Sequence, residues 1–186
     1  MKTKPTSPWQ ILNDREVYAA PPWITVHRQQ LRLLDGRTVE DYHQIDLRDY
    51  VIIVAQTPEG KYLVERQYKH GVGKVSLTLP GGVIEDGEQP LPAAKRELLE
   101  ETGYEANEWR GIGIYVSNAN YGCGRAHVFV ARNARKIVEP DSGDLEDMEI
   151  LLMDPSELIE AVRTGEMMVV GAVAAVAWAL NPAAMP

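Results

Sequence analysis

Short runs with a two-residue period fill much of this chain. Residues 23–45, WITVHRQQLRLLDGRTVEDYHQI, alternate on both sides of Asp35-Gly36, a pair that favours a tight hairpin turn. Residues 50–68, YVIIVAQTPEGKYLVERQY, repeat the form, with two apolar strands joined by Thr57-Pro58-Glu59-Gly60. A short strand is expected near Val75–Leu79, and others in WRGIGIYVS (109–117), AHVFVARNA (126–134) and EILLMD (149–154). Helical spacing appears in three places. Pro90–Thr102 has prolines at its start and Gly103 just past its end, as cap preferences require. PSELIEAVRTG can be capped by Asp154 or Ser156, and Met167–Leu180 is an apolar helix closed by Asn181 and Pro182. Residues 1 to about 22, proline-studded and without alternation, read as an irregular arm. Strands and helices mix without regular βαβ alternation, so the expected class is α+β, with a mixed sheet between helices.

Composition narrows the function classes. A net charge of -8 excludes a general nucleic-acid or anionic-membrane surface, which needs clustered Lys and Arg. The most apolar stretch is too short to span a bilayer, and the N-terminus has no apolar core of a signal peptide. Cys123 is the only cysteine, so no internal disulfide forms, and a reducing cytoplasm is the expected location. His27, His43, His70 and His127 show no metal-ligand spacing among themselves.

One concentration of charge stands out. Glu97, Glu100 and Glu101 fall within an arc of about 100° on one face of the helix expected at 90–102. Like charges at i,i+3 and i,i+4 cost about 0.2–0.5 kcal/mol each, and the negative end of the helix dipole adds to the cost. Leu91, Ala94 and Leu98 border this face, so the carboxylates flank an apolar stripe. On these three residues alone a solvated acidic face is the simpler reading. The other is a site for a hard divalent cation, Mg²⁺ or Mn²⁺.

The wider spacing favours the second. Gly82, Glu88, Arg96, Glu97, Leu98, Glu100, Glu101, Gly103 and Tyr104 match G-x5-E-x7-R-E-U-x-E-E-x-G-U, where U is apolar. Chance would produce all of these in one chain on the order of once in ten million. Residues 82–104 thus resemble the Nudix box, with Tyr104 a more polar final U than usual. The resemblance implies a Nudix fold, a mixed sheet in an α/β/α sandwich. It also implies metal-dependent hydrolysis of a nucleoside diphosphate linked to another moiety. By the same resemblance the metal would be held by Glu97 and Glu101, by a backbone carbonyl at Gly81, and by Glu100 as further ions arrive. Glu88 and Arg96 would form the ion pair that holds the loop against the helix.

The likeness extends along nearly the whole chain to the ADP-ribose and sugar-nucleotide pyrophosphatase branch. It implies an N-terminal arm and β-hairpin layer, residues 1–48, which builds a homodimer, ahead of a hydrolase domain at 49–186. Substrate contacts are expected from Arg66 and Lys69 of RQYK and from Ser117 of SNANYGCGR. Three departures from the branch are visible: Gly81-Gly82 where Ala-Gly is common, Lys69 in place of an arginine, and no acid in 117–125. Lysine keeps the charge but loses the bidentate fork that suits phosphate. A general base is expected from the acidic segment EPDSGDLEDMEI, with Glu146 and Asp144 foremost, Glu149 and Asp141 behind them, and Glu100 as the fallback. The implied reaction releases a nucleoside monophosphate and a sugar phosphate. A nucleoside triphosphate hydrolase and a non-catalytic Nudix-fold regulatory module are the alternatives.

Overall fold

The computed structural model describes residues 8–141, 143, 148–181 and 183. The chain divides into two units, one of residues 1–48 with 116–125 and one of residues 49–115 with 126–186.

The first unit is built on a meander of β1 (Gln10–Ala20), β2 (Ile24–Arg32) and β3 (Thr38–Asp46), each antiparallel to the next. The turn at Asp35-Gly36 joins β2 to β3, and Asp35 accepts hydrogen bonds from the backbone N–H and Nε of Arg37. Residues 10–20 are a strand, not part of an irregular arm. Almost every residue of β1 is exposed, so it carries no apolar alternation to detect. What holds it is the ladder to β2 and a polar cross-strand cluster. His27 lies between Asp14 (Nδ1 to Oδ1, 2.9 Å) and Asp46 (Nε2 to Oδ2, 3.2 Å), and Gln29 donates to the second oxygen of Asp14. Residues 116–125 close the unit, where Ile45 N–H donates to Tyr121 carbonyl at 2.8 Å.

The second unit has β4 (Tyr50–Gln56) at its centre, parallel to β9 (Gly122–Arg132) from Tyr50 opposite Ala126 to Gln56 opposite Arg132. β8 (Glu108–Asn118) pairs with β9, and both strands run on into the first unit. β5 (Tyr62–Lys69) is antiparallel to β6 (Lys74–Thr78) and to β11 (Met148–Met153). The short strands β7 (Tyr104–Glu105) and β10 (Arg135–Lys136) pair with each other.

β4 is buried on both faces, and its alternation sorts the helices. Val51, Ile53 and Ala55 pack with Ala93, Ala94 and Leu98 of α1 (Pro90–Thr102). Ile52 and Val54 face α2 (Pro155–Thr164) and α3 (Val170–Leu180) in a second cluster with Leu158, Ala161, Ala172 and Val176. Helices thus cover both faces of the sheet, as expected of an α+β chain. The unbroken run of Val, Ile and Ala from 51 to 55 is the mark of a strand with no wet side.

α1 spans the expected residues, with Pro at its first turn and Gly103 donating to Leu99 carbonyl at 2.8 Å. α2 carries a full capping box, Asp154 with Glu157. α3 starts at Val170, three residues later than the apolar pattern suggests. Met167 is drawn instead into a bridge beside Leu77 and is buried there. No helix among the described residues is long and apolar enough to cross a membrane.

Candidate active site

β4 and β5 meet only at their hairpin end, Gln56 opposite Tyr62. Along the rest of β4 the segment 80–83 takes the neighbouring place, with Ile53 N–H donating to Pro80 carbonyl and Val51 N–H to Gly82 carbonyl. The chain leaving β6 therefore passes against β4 before it enters the box. Two glycines permit this. A Cβ on Gly81 would collide with the carbonyl of Val51, and one on Gly82 would lie 2.5 Å from the carboxylate of Glu97. Gly82 is a cradle for that carboxylate.

Of the three glutamates of α1, two share one partner and the third has its own. Arg96 donates from Nη1 to Glu97 Oε1 (2.9 Å) and Glu100 Oε2 (3.0 Å). From Nε and Nη2 the same guanidinium donates to both oxygens of Glu88, at 3.1 and 2.9 Å, and from Nη2 also to Val83 carbonyl. Arg96 thus ties the loop to the helix and offsets the charge of three carboxylates. This pairing holds the Glu88 carboxyl below its usual pKa and the Arg96 guanidinium above its own.

Glu101 turns inward. It is buried, and its Oε2 accepts a 2.7 Å hydrogen bond from Gly81 N–H. Burial first, then the charge of Glu65, pushes its pKa well above the usual carboxylate range. Glu65, on β5, is almost fully buried and hydrogen bonded to Glu101. Two carboxyls so placed repel as anions, and a shared proton or a divalent cation relieves the repulsion.

That arrangement fits a hard divalent cation. Glu97, Glu100 and Glu101 supply oxygen donors beside a bend at Gly81-Gly82, and the buried pair gives a cation something to neutralise. Among the described residues no group of three acidic, His or Cys side chains converges on one point. Two of the glutamates face Arg96 and the third faces Gly81 and Glu65.

A cavity of about 370 Å³ adjoins the box, since Gly81 lines it. Its polar lining is Glu65, Gln67, Lys69, His70 and Thr78, and its apolar lining includes Tyr50, Ile52, Leu79 and Val169. Lys69 is therefore at the cavity. Arg66 is not among its lining residues. It stands opposite Glu149 across β5 and β11, Nη1 to Oε2 3.7 Å, and lines a separate groove with Lys74 and Glu166. The two-residue period of β5 separates Arg66 from Lys69. Ser117 belongs to the first unit.

Glu146 and Asp144 lie outside the described residues. Asp141, within the described residues, donates its backbone N–H to Glu100 carbonyl at 2.8 Å.

Glu65 and Gln67 escaped the sequence reading. The signal was present: in Tyr62–Lys69, positions 63, 65 and 67 are buried and 66 and 68 exposed, so an inward Glu and Gln interrupt an apolar face.

Comparison with known proteins agrees with the geometry. The fold matches that of a solved structure described as an ADP compounds hydrolase, with a TM-score of 0.81 over 94% of this chain and 93% of that one, at 22% identity. Residues 46–168 match the NUDIX domain model, and the chain belongs to that family. It is 32% identical over 115 residues to an ADP-ribose pyrophosphatase of Bacillus subtilis, covering 60% of this chain and 62% of the relative. It is 28% identical over 146 residues to an ADP-ribose pyrophosphatase of Mycobacterium tuberculosis, covering 77% and 70%. The chain thus spans less than two thirds of the Bacillus relative's length.

Proposed function

We propose that this chain is a Mg²⁺-dependent pyrophosphohydrolase that cleaves the diphosphate of an ADP-ribose-like or nucleotide-sugar substrate. The observation that carries the reading is the bond between Gly81 and Glu101. It sets the acidic helix directly beside a cavity that Lys69 lines. The relatives named above, both ADP-ribose pyrophosphatases, support the substrate class.

Glu97, Glu101 and the Gly81 carbonyl would hold Mg²⁺ (or Mn²⁺), with Glu100 joining them. When bound, the cation neutralises the diphosphate and polarises its phosphorus toward attack. Lys69, which lines the cavity, orients the diphosphate by charge, whereas Arg66 is turned toward Glu149 and takes no part. Glu146, or Asp144 in its place, takes a proton from water whose oxygen attacks phosphorus; the P–O bond to the leaving phosphate breaks. A nucleoside monophosphate and a sugar phosphate result. Arg96 keeps the loop on the helix through Glu88.

The first unit acts as the dimer layer of a cytoplasmic homodimer. Its exposed Trp9, Ile11, Val17, Tyr18 and Trp23 offer apolar side chains for a second copy to cover.

Turnover of a panel tests the reading: ADP-ribose, ADP-glucose, UDP-glucose and a nucleoside triphosphate, each with Mg²⁺ or EDTA. Mg²⁺-dependent release of AMP and ribose 5-phosphate is expected from ADP-ribose. Turnover of the triphosphate alone would move the chain to the other hydrolase class, and no turnover of any would leave a binding module.

A further inference from the structure

The meander of β1, β2 and β3 sorts its charges by face. Successive residues of a strand point to opposite faces. Asp14, Glu16 and Asp46 share the face of His27. On the other face Arg15 stands directly opposite Arg28, and Arg28 directly opposite His43, so three N–H donors form one row across the three strands. Facing residues in a sheet lie about 5 Å apart at Cβ, and like charges so placed destabilise it. Both arginines are exposed, and among the described residues neither side chain has a hydrogen bond or an ion pair.

The chain has 27 acidic residues against 19 basic ones, yet none relieves this pair. Asp41 stands at the far end of the row, 3.6 Å from His43 Nε2, and Glu40 accepts a 2.7 Å hydrogen bond from Gln30. A bound anion would supply the missing charge. Two guanidinium forks meeting from adjacent strands suit a tetrahedral oxyanion, since each can donate to a pair of its oxygens. A carboxylate offers two oxygens in one plane and a single charge. A phosphate group offers three acceptor oxygens and nearly two charges. The next row on the same face is Tyr18, Val26 and Ile45, which suits the organic part of a phosphate ester.

We propose that Arg15 and Arg28 form a binding site for a phosphate group, with His43 as a third donor, and that this site needs no metal ion.

The test is calorimetry on the full chain in EDTA, which silences metal-bridged binding at the box, with about 0.1 M NaCl to screen diffuse attraction. Inorganic phosphate and ribose 5-phosphate are both expected to bind with millimolar or tighter affinity, and the tighter of the two names the source of the phosphate. Arg15→Gln and Arg28→Gln should each weaken binding about tenfold or more, as loss of a hydrogen bond from a charged group does. Lys69→Gln, which removes the cation of the cavity, should leave the affinity within about twofold of the wild type. In phosphate-free buffer Arg28→Gln should melt no lower than the wild type, because removing one of two facing charges relieves repulsion.

No binding of either phosphate, acetate binding as tightly as phosphate, or binding lost in Lys69→Gln but kept in Arg28→Gln would each overturn the inference. A lower melt or a failure to fold in Arg28→Gln would also overturn it, by giving the arginine a structural role. So would an Arg28→Gln chain that sediments as monomer where the wild type is a dimer, since acids of a second copy would then occupy the row. Because binding is read without turnover or metal, a chain that binds phosphate here but hydrolyses nothing refutes the proposed reaction and not this inference.

Discussion

The backbone N–H of Gly81 and the carboxylate of Glu101 are joined by a 2.7 Å hydrogen bond, which fastens the loop before the Nudix box to the last glutamate of its helix. The bond gives the buried carboxyl one donor, although burial and the charge of Glu65 outweigh it and keep the pKa well above the usual carboxylate range. It also couples the glutamate that would hold metal to the backbone that lines the cavity.

Glu101→Gln keeps an oxygen for the Gly81 N–H and replaces a carboxyl whose ionisation burial and Glu65 already oppose. The melting temperature in EDTA is therefore expected to stay level or rise. Turnover of ADP-ribose in saturating Mg²⁺ is expected to fall by orders of magnitude. Near-normal turnover would remove Glu101 from the ligand set.

Divalent ions should raise the melting temperature of the wild type by mass action on the native state. A ligand at a hundred times its Kd stabilises by about 2.7 kcal/mol. The rise should shrink in Glu97→Gln, whose carboxylate lies over Gly82. A melt unchanged across millimolar Mg²⁺ would argue against the site.

Arg96 depresses the pKa of Glu88, so the sign of the pH effect is fixed. A carboxyl whose folded pKa is lowered contributes stability above its unfolded pKa and loses it as pH falls through the folded one. Glu88→Gln is expected to cost about 1.5–3 kcal/mol at neutral pH, the range for hydrogen bonds to charged groups. The gap to the wild type should close in acid, below the usual carboxylate pKa. Urea denaturation at several pH values measures this, and a gap independent of pH would refute the electrostatic account.

If the first unit forms a dimer layer, sedimentation at micromolar concentration should show twice the chain mass. Trp23→Glu, at the most exposed of its tryptophans, should shift the chain toward monomer. A wild type that sediments only as monomer contradicts the layer's role.

Glu146→Gln should lower the maximal rate while leaving Mg²⁺ affinity nearly unchanged, since a base on a loop acts on water without holding metal. Asp144→Asn is the control. A large loss in that variant, with Glu146→Gln active, transfers the role to Asp144. Full activity in both leaves Glu100 as the candidate base.

Much was legible in the residues alone. Prolines and Gly103 mark the ends of α1 because caps are local chemistry, and the period of β4 and β5 shows in the side chains themselves. The spacing of the box identified the family, since its residues lie on one loop and one helix and need no long-range contact to be recognised. β1 was not legible: it buries almost nothing, and its support comes from residues of β2 and β3 that a reading of 10–20 by itself cannot include.

Tertiary structure decided what each charge faces. Arg96 could have paired with any nearby acid. Only the folded loop brings Glu88 and Val83 to the same guanidinium as Glu97 and Glu100. Arg66 and Lys69 look alike in the sequence, yet the pleat sends one toward Glu149 and the other to the cavity. The meeting of Glu65 with Glu101 depends on β5 diverging from β4 and on Gly81 passing against Val51. Residue types and local spacing carry cap, period and motif, because those depend on neighbours along the chain. Burial and ion pairing depend on neighbours in space, and only the packed strands and helices supply them.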